Sequence, residues 1–181
     1  MKTLNSILIA VCALTVLPST ANAQDPQQLM DKMAGVYKHR FMSDSYSDGP
    51  YQAEDVIEIV PYDANHVYVR AHLEFYNGHL CGIAGMARFE NGKFVYHDPQ
   101  PPIEGHAPCA LSVGIDKDKL TLSDRSGPEG ESTCHALHCG MRGSLNYQIG
   151  MEKRRAIRYM DRLKSSRQYQ QAIEDLRKTE P

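Results

Sequence analysis

The sequence predicts a mainly β protein: an antiparallel meander, barrel-like or a sandwich, with a short N-terminal helix and a C-terminal helix. Three observations favour this class. Apolar and polar residues alternate in seven short segments between residues 36 and 123, which is typical of half-buried strands. Tight turns such as Asn91-Gly92 join these segments, and Asn-Gly favours hairpins because both residues accept positive φ. Helical spacing of apolar residues appears before and after the strands.

The first element is a short helix, about Pro26–Ala34. Asp25 and Gln28 supply an N-cap and a capping-box glutamine, and proline suits the first helical position. Gly35 ends the helix. We expect the helix to cover one end of the β structure with the apolar face formed by Leu29, Met30 and Met33.

The seven predicted strands are joined mostly by tight turns. A Ser/Asp/Gly/Pro-rich loop is expected up to Pro50, and a Pro-rich loop over 98–108. A meander of this length must hide its edges, so a closed or nearly closed barrel, or a sandwich, is expected. The strands are 36–41, 56–60, 67–75, 79–89, 93–96, 109–115 and 119–123.

The last segment returns to helical spacing. We predict one kinked helix or two consecutive helices from about Lys153 to Lys178, with Ser165 or Ser166 as the internal cap. Residues 152–178 carry nine bases and four acids, whereas residues 24–151 carry ten bases and seventeen acids. Two interpretations stay open: the basic helix docks on its own acidic barrel, or it reaches an anionic envelope or an acidic partner.

Length and composition exclude several classes of protein. The chain has 181 residues, 22 acids against 20 bases and 41% hydrophobic residues, enough apolar material for one domain with a core. Low net charge and well-spread aromatic residues argue against disorder. A multispan membrane protein and a general nucleic-acid binder are excluded, because there is one apolar run and the charges nearly balance.

Residues 1–23 are predicted to be a secretory signal peptide. Lys2 gives a positive start, 7–17 is apolar, and Ala21-Asn22-Ala23 is an A-x-A cleavage pattern. The mature chain would begin at Gln24 and lie in the periplasm or outside the cell, with no transmembrane span. It would comprise a disulfide-stapled β domain with its N-terminal helix, 24–151, and a basic helical segment, 152–181.

Four cysteines are left after removal of the signal peptide, and an exported chain with an even number favours two disulfides. Three pairings are possible. We favour Cys81–Cys109, because the strands that begin at these residues start at the same end of a meander. The second pair is then Cys134–Cys139, which would pin a local turn.

Histidines lie close to every one of these cysteines: His79, His106, His135 and His138. Thiolate and imidazole at such spacing suit Zn(II) or Cu(I), but oxidised cysteines would not bind. A histidine-only site at His135 and His138 is the first alternative function. A small hydrolase using His97, Asp98, Glu104 or His106 is the second, although motifs of known hydrolase, metalloprotease and nucleotide-binding sites are absent from the sequence.

The densest local motif is C-x4-C-G-x-R-G-S-L, from Cys134 to Leu145, in which Arg142 either caps carbonyls or faces an anionic ligand. Together with the N-G-H-x-C motif at 77–81 and the basic helix, it resembles a group of small exported bacterial proteins whose activity is uncharacterised. More loosely, the chain is similar to periplasmic lysozyme inhibitors and lipocalin-like folds. These resemblances imply a fold more than an activity.

The sequence therefore predicts a non-catalytic binding or inhibitory protein of the cell envelope, without a cofactor. Its partner would be an envelope protein or a small ligand, not a nucleic acid. The candidate binding rim carries His79, the 98–108 loop and the 134–142 segment, with His106, His135, His138 and Arg142 as its further candidate residues.

Overall fold

A computed structural model describes residues 25–126 and 130–180; the predicted signal peptide and its cleavage site lie outside them. The strands are β1 Gly35–Ser45, β2 Gly49–Pro61, β3 His66–Glu74, β4 Leu80–Glu90, β5 Lys93–His97, β6 Ala110–Asp116, β7 Lys119–Ser123, β8 Tyr147–Gly150 and β9 Arg154–Arg155. The helices are α1 Pro26–Met33, α2 His135–His138, α3 Met160–Lys164 and α4 Arg167–Thr179. The described helices are all too short or too polar to cross a bilayer.

The predicted fold class is confirmed. One antiparallel sheet forms a nearly closed barrel with a helix on its N-terminal side and a helix after it. All seven predicted strands are present, and the sequence missed β8 and β9. The predicted loop up to Pro50 is wrong for most of its length, because β1 and β2 pair as far as Ser45 and Gly49. Backbone pairing extends this hairpin, the Tyr46 N–H donates to the Asn77 side-chain oxygen at 3.0 Å, and Gly49 takes the positive φ of its turn.

The barrel is closed by a single crossing of the chain. The strand order is β8-β7-β6-β5-β4-β3-β2-β1-β9, so β8 and β9 lie on opposite edges of the sheet. Only Met151–Lys153 separates these two strands in sequence. At β1, a Cβ on Gly35 would lie 2.7 Å from the carbonyl oxygen of Arg155, so glycine is required where β9 meets β1.

Helix α1 plugs one end of the barrel, as predicted. Asp25 caps it by accepting a hydrogen bond from the backbone N–H of Gln27 at 3.0 Å. Leu29, Met30 and Met33 are buried among the side chains that point into the barrel. The Tyr37 hydroxyl then donates to the carbonyl oxygen of Met33 at 2.9 Å, which ties the end of α1 to the start of β1.

The two faces of the sheet differ along each strand. On β3, Val67, Val69, Ala71 and Leu73 belong to the interior core. The alternate positions, including Tyr68, Arg70 and His72, lie on the outer face. This outer face is covered in part by the C-terminal segment.

The C-terminal helices dock on the outer face of the barrel. Tyr169 and Ala172 of α4 form a second buried cluster with Val60, Tyr68 and Met86. The basic segment therefore contacts its own barrel, as the first of the two interpretations expected. Apolar side chains form the buried part of this contact, and the Glu180 carboxylate adds ionic contacts to Arg88 and His66.

The predicted C-terminal boundaries are corrected in one respect. The helical region begins at Met160 rather than near Lys153, because the residues before it close the barrel. Of the two alternatives left open, one kinked helix or two consecutive helices, the structure has the second, with Ser166 as the cap: its hydroxyl accepts from the backbone N–H of Tyr169 at 3.3 Å.

The favoured cysteine pairing is wrong. Cys81 is bonded to Cys139, and Cys109 is bonded to Cys134. Cys134 and Cys139 flank α2, where five residues of helical rise add about 7.5 Å, more than the about 7 Å between Cα atoms that a disulfide spans. Strands β4 and β6 do begin at the same end of the meander, but Cys81 and Cys109 are tied to the two cysteines that flank α2 and not to each other.

Removing either disulfide should lower the free energy of unfolding, by an amount that increases with the logarithm of the number of residues in the loop that it closes. Loops of 58 and 25 residues correspond to about 4 kcal/mol for Cys81–Cys139 and about 3.5 kcal/mol for Cys109–Cys134. The measurement is urea unfolding of the Cys81→Ser/Cys139→Ser and Cys109→Ser/Cys134→Ser variants. Non-reducing peptide mapping is the control, and a peptide linking Cys81 to Cys109 would contradict the pairing.

Candidate binding groove

The predicted rim residues meet at the end of the barrel opposite α1. The backbone N–H of Gly140 donates to the carbonyl oxygen of Leu80 at 2.7 Å, which places the 134–142 segment beside the start of β4. His79 lies against Gly140, where a Cβ would be 2.9 Å from the imidazole Nδ1. The Arg142 guanidinium lies 5.2 Å from the centroid of the Tyr76 ring, so its contact is aromatic.

A buried carboxylate organises the 124–146 segment. Asp124 is fully buried, and its side chain accepts from the Asn146 amide at 2.9 Å, from the Cys134 backbone N–H at 3.2 Å and from the Ser132 hydroxyl. These bonds hold both cysteines of the segment near their partners. The sequence contained no signal for this role, because an aspartate after a strand also suits an ordinary turn.

His138 joins the rim to the 98–108 loop. Its Nε2 lies 2.6 Å from an Asp98 oxygen, and its Nδ1 lies 3.2 Å from the carbonyl oxygen of Gly82. The Tyr96 hydroxyl donates to the same carboxylate at 3.0 Å. Burial and the neighbouring Asp98 charge raise the pKa of Tyr96 far above its usual range. Both imidazole nitrogens of His138 are engaged, so this histidine cross-links three segments.

The network of Tyr96, Asp98 and His138 lies where the pairing between β4 and β5 is interrupted. Strand β5 pairs only with Ala87–Glu90 of β4, and Cys139 bridges to Cys81 at the other end of β4. Between these contacts, the Tyr96 ring occupies the place where Gly85 lacks a side chain: a Cβ there would lie 2.0 Å from Tyr96 Cε2.

The structure does not gather the residues of the two alternative functions. Among the described residues, one group offers three potential metal ligands within 4.8 Å: Asp98, Cys109 and His138. The sulfur of Cys109 is in a disulfide, and His135 is not part of the group. For the hydrolase, His97 contacts Glu90 at 3.4 Å, while Glu104 and His106 lie in an exposed loop.

A groove of about 920 Å³ lies between α4 and the outer face of the sheet. Its floor combines small or apolar residues, Val56 on β2 and Gly82 and Ala84 on β4, with the polar side chains of Lys38 on β1 and His72 on β3. A Cβ placed on Gly82 would meet no atom within 4 Å, so the floor is open above this residue. Gln168 and Gln171 of α4 form one wall.

Two of the cations that line the groove are already paired. The Lys38 ammonium lies 3.0 Å from a Glu54 oxygen, and the Arg70 Nε donates to buried Glu58 at 2.5 Å. Burial opposes the charge of Arg70, but Glu58 outweighs it and raises the pKa of the guanidinium. The Tyr159 hydroxyl also donates to Glu58, and burial together with this bond raises the pKa of Tyr159 to about 12.

Two further cations lack a carboxylate partner among the described residues. Arg162 lies over the Tyr159 ring at 5.3 Å, and Arg167 follows it at the start of α4. Within this part of the chain, neither forms a salt bridge. The carboxylate that lines the groove, Asp175, is bound to Lys178 at 3.1 Å. The groove therefore presents uncompensated positive charge beside an apolar floor.

Of the predicted site residues, His138 lines the groove, and so does His97 from the hydrolase alternative. His79 and Arg142 lie at the loop end, His106 in the exposed loop, and His135 on α2. Sequence reasoning missed the contributions of Arg70, Arg162 and Arg167. The positive charge of residues 152–178 was the available signal, but it did not show which side chains face the sheet.

Comparison with known proteins identifies no relative: no family model, no curated protein and no solved structure matches the chain. The resemblances drawn from the cysteine motif therefore stay predictions.

Two glycines of β4 should respond oppositely to a methyl group. Gly85→Ala forces the buried Tyr96 ring to move, which should lower the free energy of unfolding by about 1–3 kcal/mol. Gly82→Ala, the matched control, points into open space and should change it by less than about 0.5 kcal/mol. Urea unfolding measures both, and equal stability of the two variants would contradict the placement of Tyr96.

Proposed function

We propose that this chain is an exported, non-catalytic binding protein whose ligand is an anion held in the groove. The observation that carries the proposal is the pair Arg162 and Arg167, which face the groove without a carboxylate partner in the described part of the chain. A guanidinium group binds carboxylate, sulfonate or phosphate through directed hydrogen bonds. An apolar floor beside these groups excludes water and strengthens that attraction.

The site's polar network supports binding rather than acid–base catalysis. His138, the histidine of the groove with the most buried setting, has its Nε2 on Asp98 and its Nδ1 on a backbone carbonyl. A general base needs a nitrogen within reach of the substrate proton. The Glu58 carboxylate is likewise occupied by Arg70 and Tyr159. These groups hold the groove in shape.

The test uses 8-anilino-1-naphthalenesulfonate, a fluorescent anion. The Arg162→Ala/Arg167→Ala variant should bind it about thirtyfold more weakly than the wild type, because two charge-assisted contacts of about 1 kcal/mol each are lost. The matched control is Arg158→Ala/Arg177→Ala, which removes the same charge outside the groove and should stay within about twofold.

Two outcomes would refute the proposal: no saturable binding by the wild type, or equal weakening in both double variants. The second would show that net charge attracts the dye, rather than the two groove arginines. Fluorescence titration at two ionic strengths separates these contributions, since general attraction falls steeply with salt.

Export is supported by the two disulfides and tested by intact mass. Protein recovered from the periplasm of a bacterial host should begin at Gln24. Under denaturing, non-reducing conditions its mass should be four hydrogens below that of the reduced chain. A mass that retains residues 1–23, or all four thiol hydrogens, would overturn this part of the proposal.

A further inference from the structure

Building on the proposed function, we infer that the anion held in the groove is an amphiphile with a single alkyl chain. Its charged head binds at Arg162 and Arg167. Its chain lies across the outer face of the sheet, over Ala84 and Gly82. The inference follows from how charge, apolar surface and open space are distributed along the groove.

The cationic residues lie above one part of the sheet. Tyr159 is bound to Glu58 on β2, and Arg162 lies over the Tyr159 ring. Lys38 on β1 and Arg70 on β3 flank the same region. An anionic head placed here meets Arg162, and Arg167 lines the same groove; neither has a carboxylate partner among the described residues.

The floor of the groove continues across the strands away from this cationic end, with polar and apolar residues in turn. Lys38, Val56, His72 and Gly82 are successive cross-strand partners on β1 to β4. Three strand spacings separate the first from the last, which is about 14 Å. A small dicarboxylate or a phosphate ion would occupy only the cationic end, whereas an alkyl chain reaches the open space above Gly82.

The chemistry of the floor favours an alkyl chain over a peptide or a sugar. The side chains of Val56, Ala84 and Met86 neither donate nor accept hydrogen bonds. Gln171 on the α4 wall already donates to Asp175 at 2.9 Å. Peptide amides or sugar hydroxyls placed over Val56, Ala84 and Met86 would lose their bonds to water without replacement.

The experiment is isothermal titration calorimetry with hexanoate, octanoate and decanoate, which share one head group. Burying a methylene contributes about 0.8 kcal/mol, or about fourfold in Kd, and a half-open groove should retain at least twofold. Decanoate should therefore bind about 16-fold to 250-fold more tightly than hexanoate. Decanol, which lacks the charge, should bind at least tenfold more weakly than decanoate. Adipate and tetraglutamate, which have charged groups but no free alkyl chain, should bind no more tightly than hexanoate.

Matched variants locate the alkyl chain. Gly82→Val fills the open floor and should weaken decanoate binding about tenfold while changing hexanoate binding less. Gly114→Val is the control, because it adds the same side chain to the outer face of β6, away from the groove, where the atoms nearest to a new Cβ belong to the flexible Lys93 side chain at 3.4 Å or more. If Gly82→Val does not fold, amide chemical-shift changes of the wild-type protein on decanoate addition replace it, and they should be largest at Gly82 and Ala84.

The possible outcomes separate this inference from the proposed function. If adipate bound as tightly as decanoate and lost this affinity in the Arg162→Ala/Arg167→Ala variant, the inference of an alkyl chain would be overturned and the proposed anion groove retained. Tight binding of tetraglutamate alone would assign the groove to an acidic peptide instead. Both proposals would be overturned if affinity increased with chain length equally in the wild type, in the Arg162→Ala/Arg167→Ala variant and in Gly82→Val. Failure of every anion to bind would also overturn both.

Discussion

The single crossing from β8 to β9 determines most of what lies outside the barrel. Because β8 pairs with β7 and β9 pairs with β1, the chain leaves the barrel beside β1, on the edge of the sheet. The apolar surface still to be covered lies on the outer faces of β2 to β4. Helices α3 and α4 turn back across these strands, and the groove is the space that they leave uncovered.

The docking of α4 explains why its start is electrostatically unsatisfied. The helix is held by Tyr169 and Ala172 against Tyr68 and Met86. Polar contacts with charged groups lie before the helix, where Tyr159 donates to buried Glu58, and at its end, where Glu180 contacts Arg88. Neither contact involves Arg162 or Arg167, so their positive charge has no carboxylate partner among the described residues, and the proposed anion site rests on this observation.

The sequence predicted the parts of this fold that follow from local patterns. Alternation identified seven strands, Asp25 and Pro26 marked α1, and Ser166 separated α3 from α4. The missed elements depend on distant contacts: β9 has two residues, both exposed, and becomes a strand only because β1 offers a free edge. The disulfide pairing failed for the same reason, since α2, one helical turn between two cysteines, had no apolar periodicity to reveal it.

The candidate site was predictable only in part, and the reason is geometric. The topology did bring His79, Arg142 and the 98–108 loop to one end, as a meander requires. The groove instead lies on the outer face of the sheet. Gly82 and Ala84 form part of it only because α4, more than eighty residues later in the sequence, lies beside them. Read alone, a strand glycine suggests a bulge or a close backbone approach. Gly85 has such a role, with the Tyr96 ring against it, whereas three residues earlier in the same strand Gly82 faces empty space. Glycine thus allows close packing of an aromatic ring at Gly85 and leaves open space in the groove at Gly82.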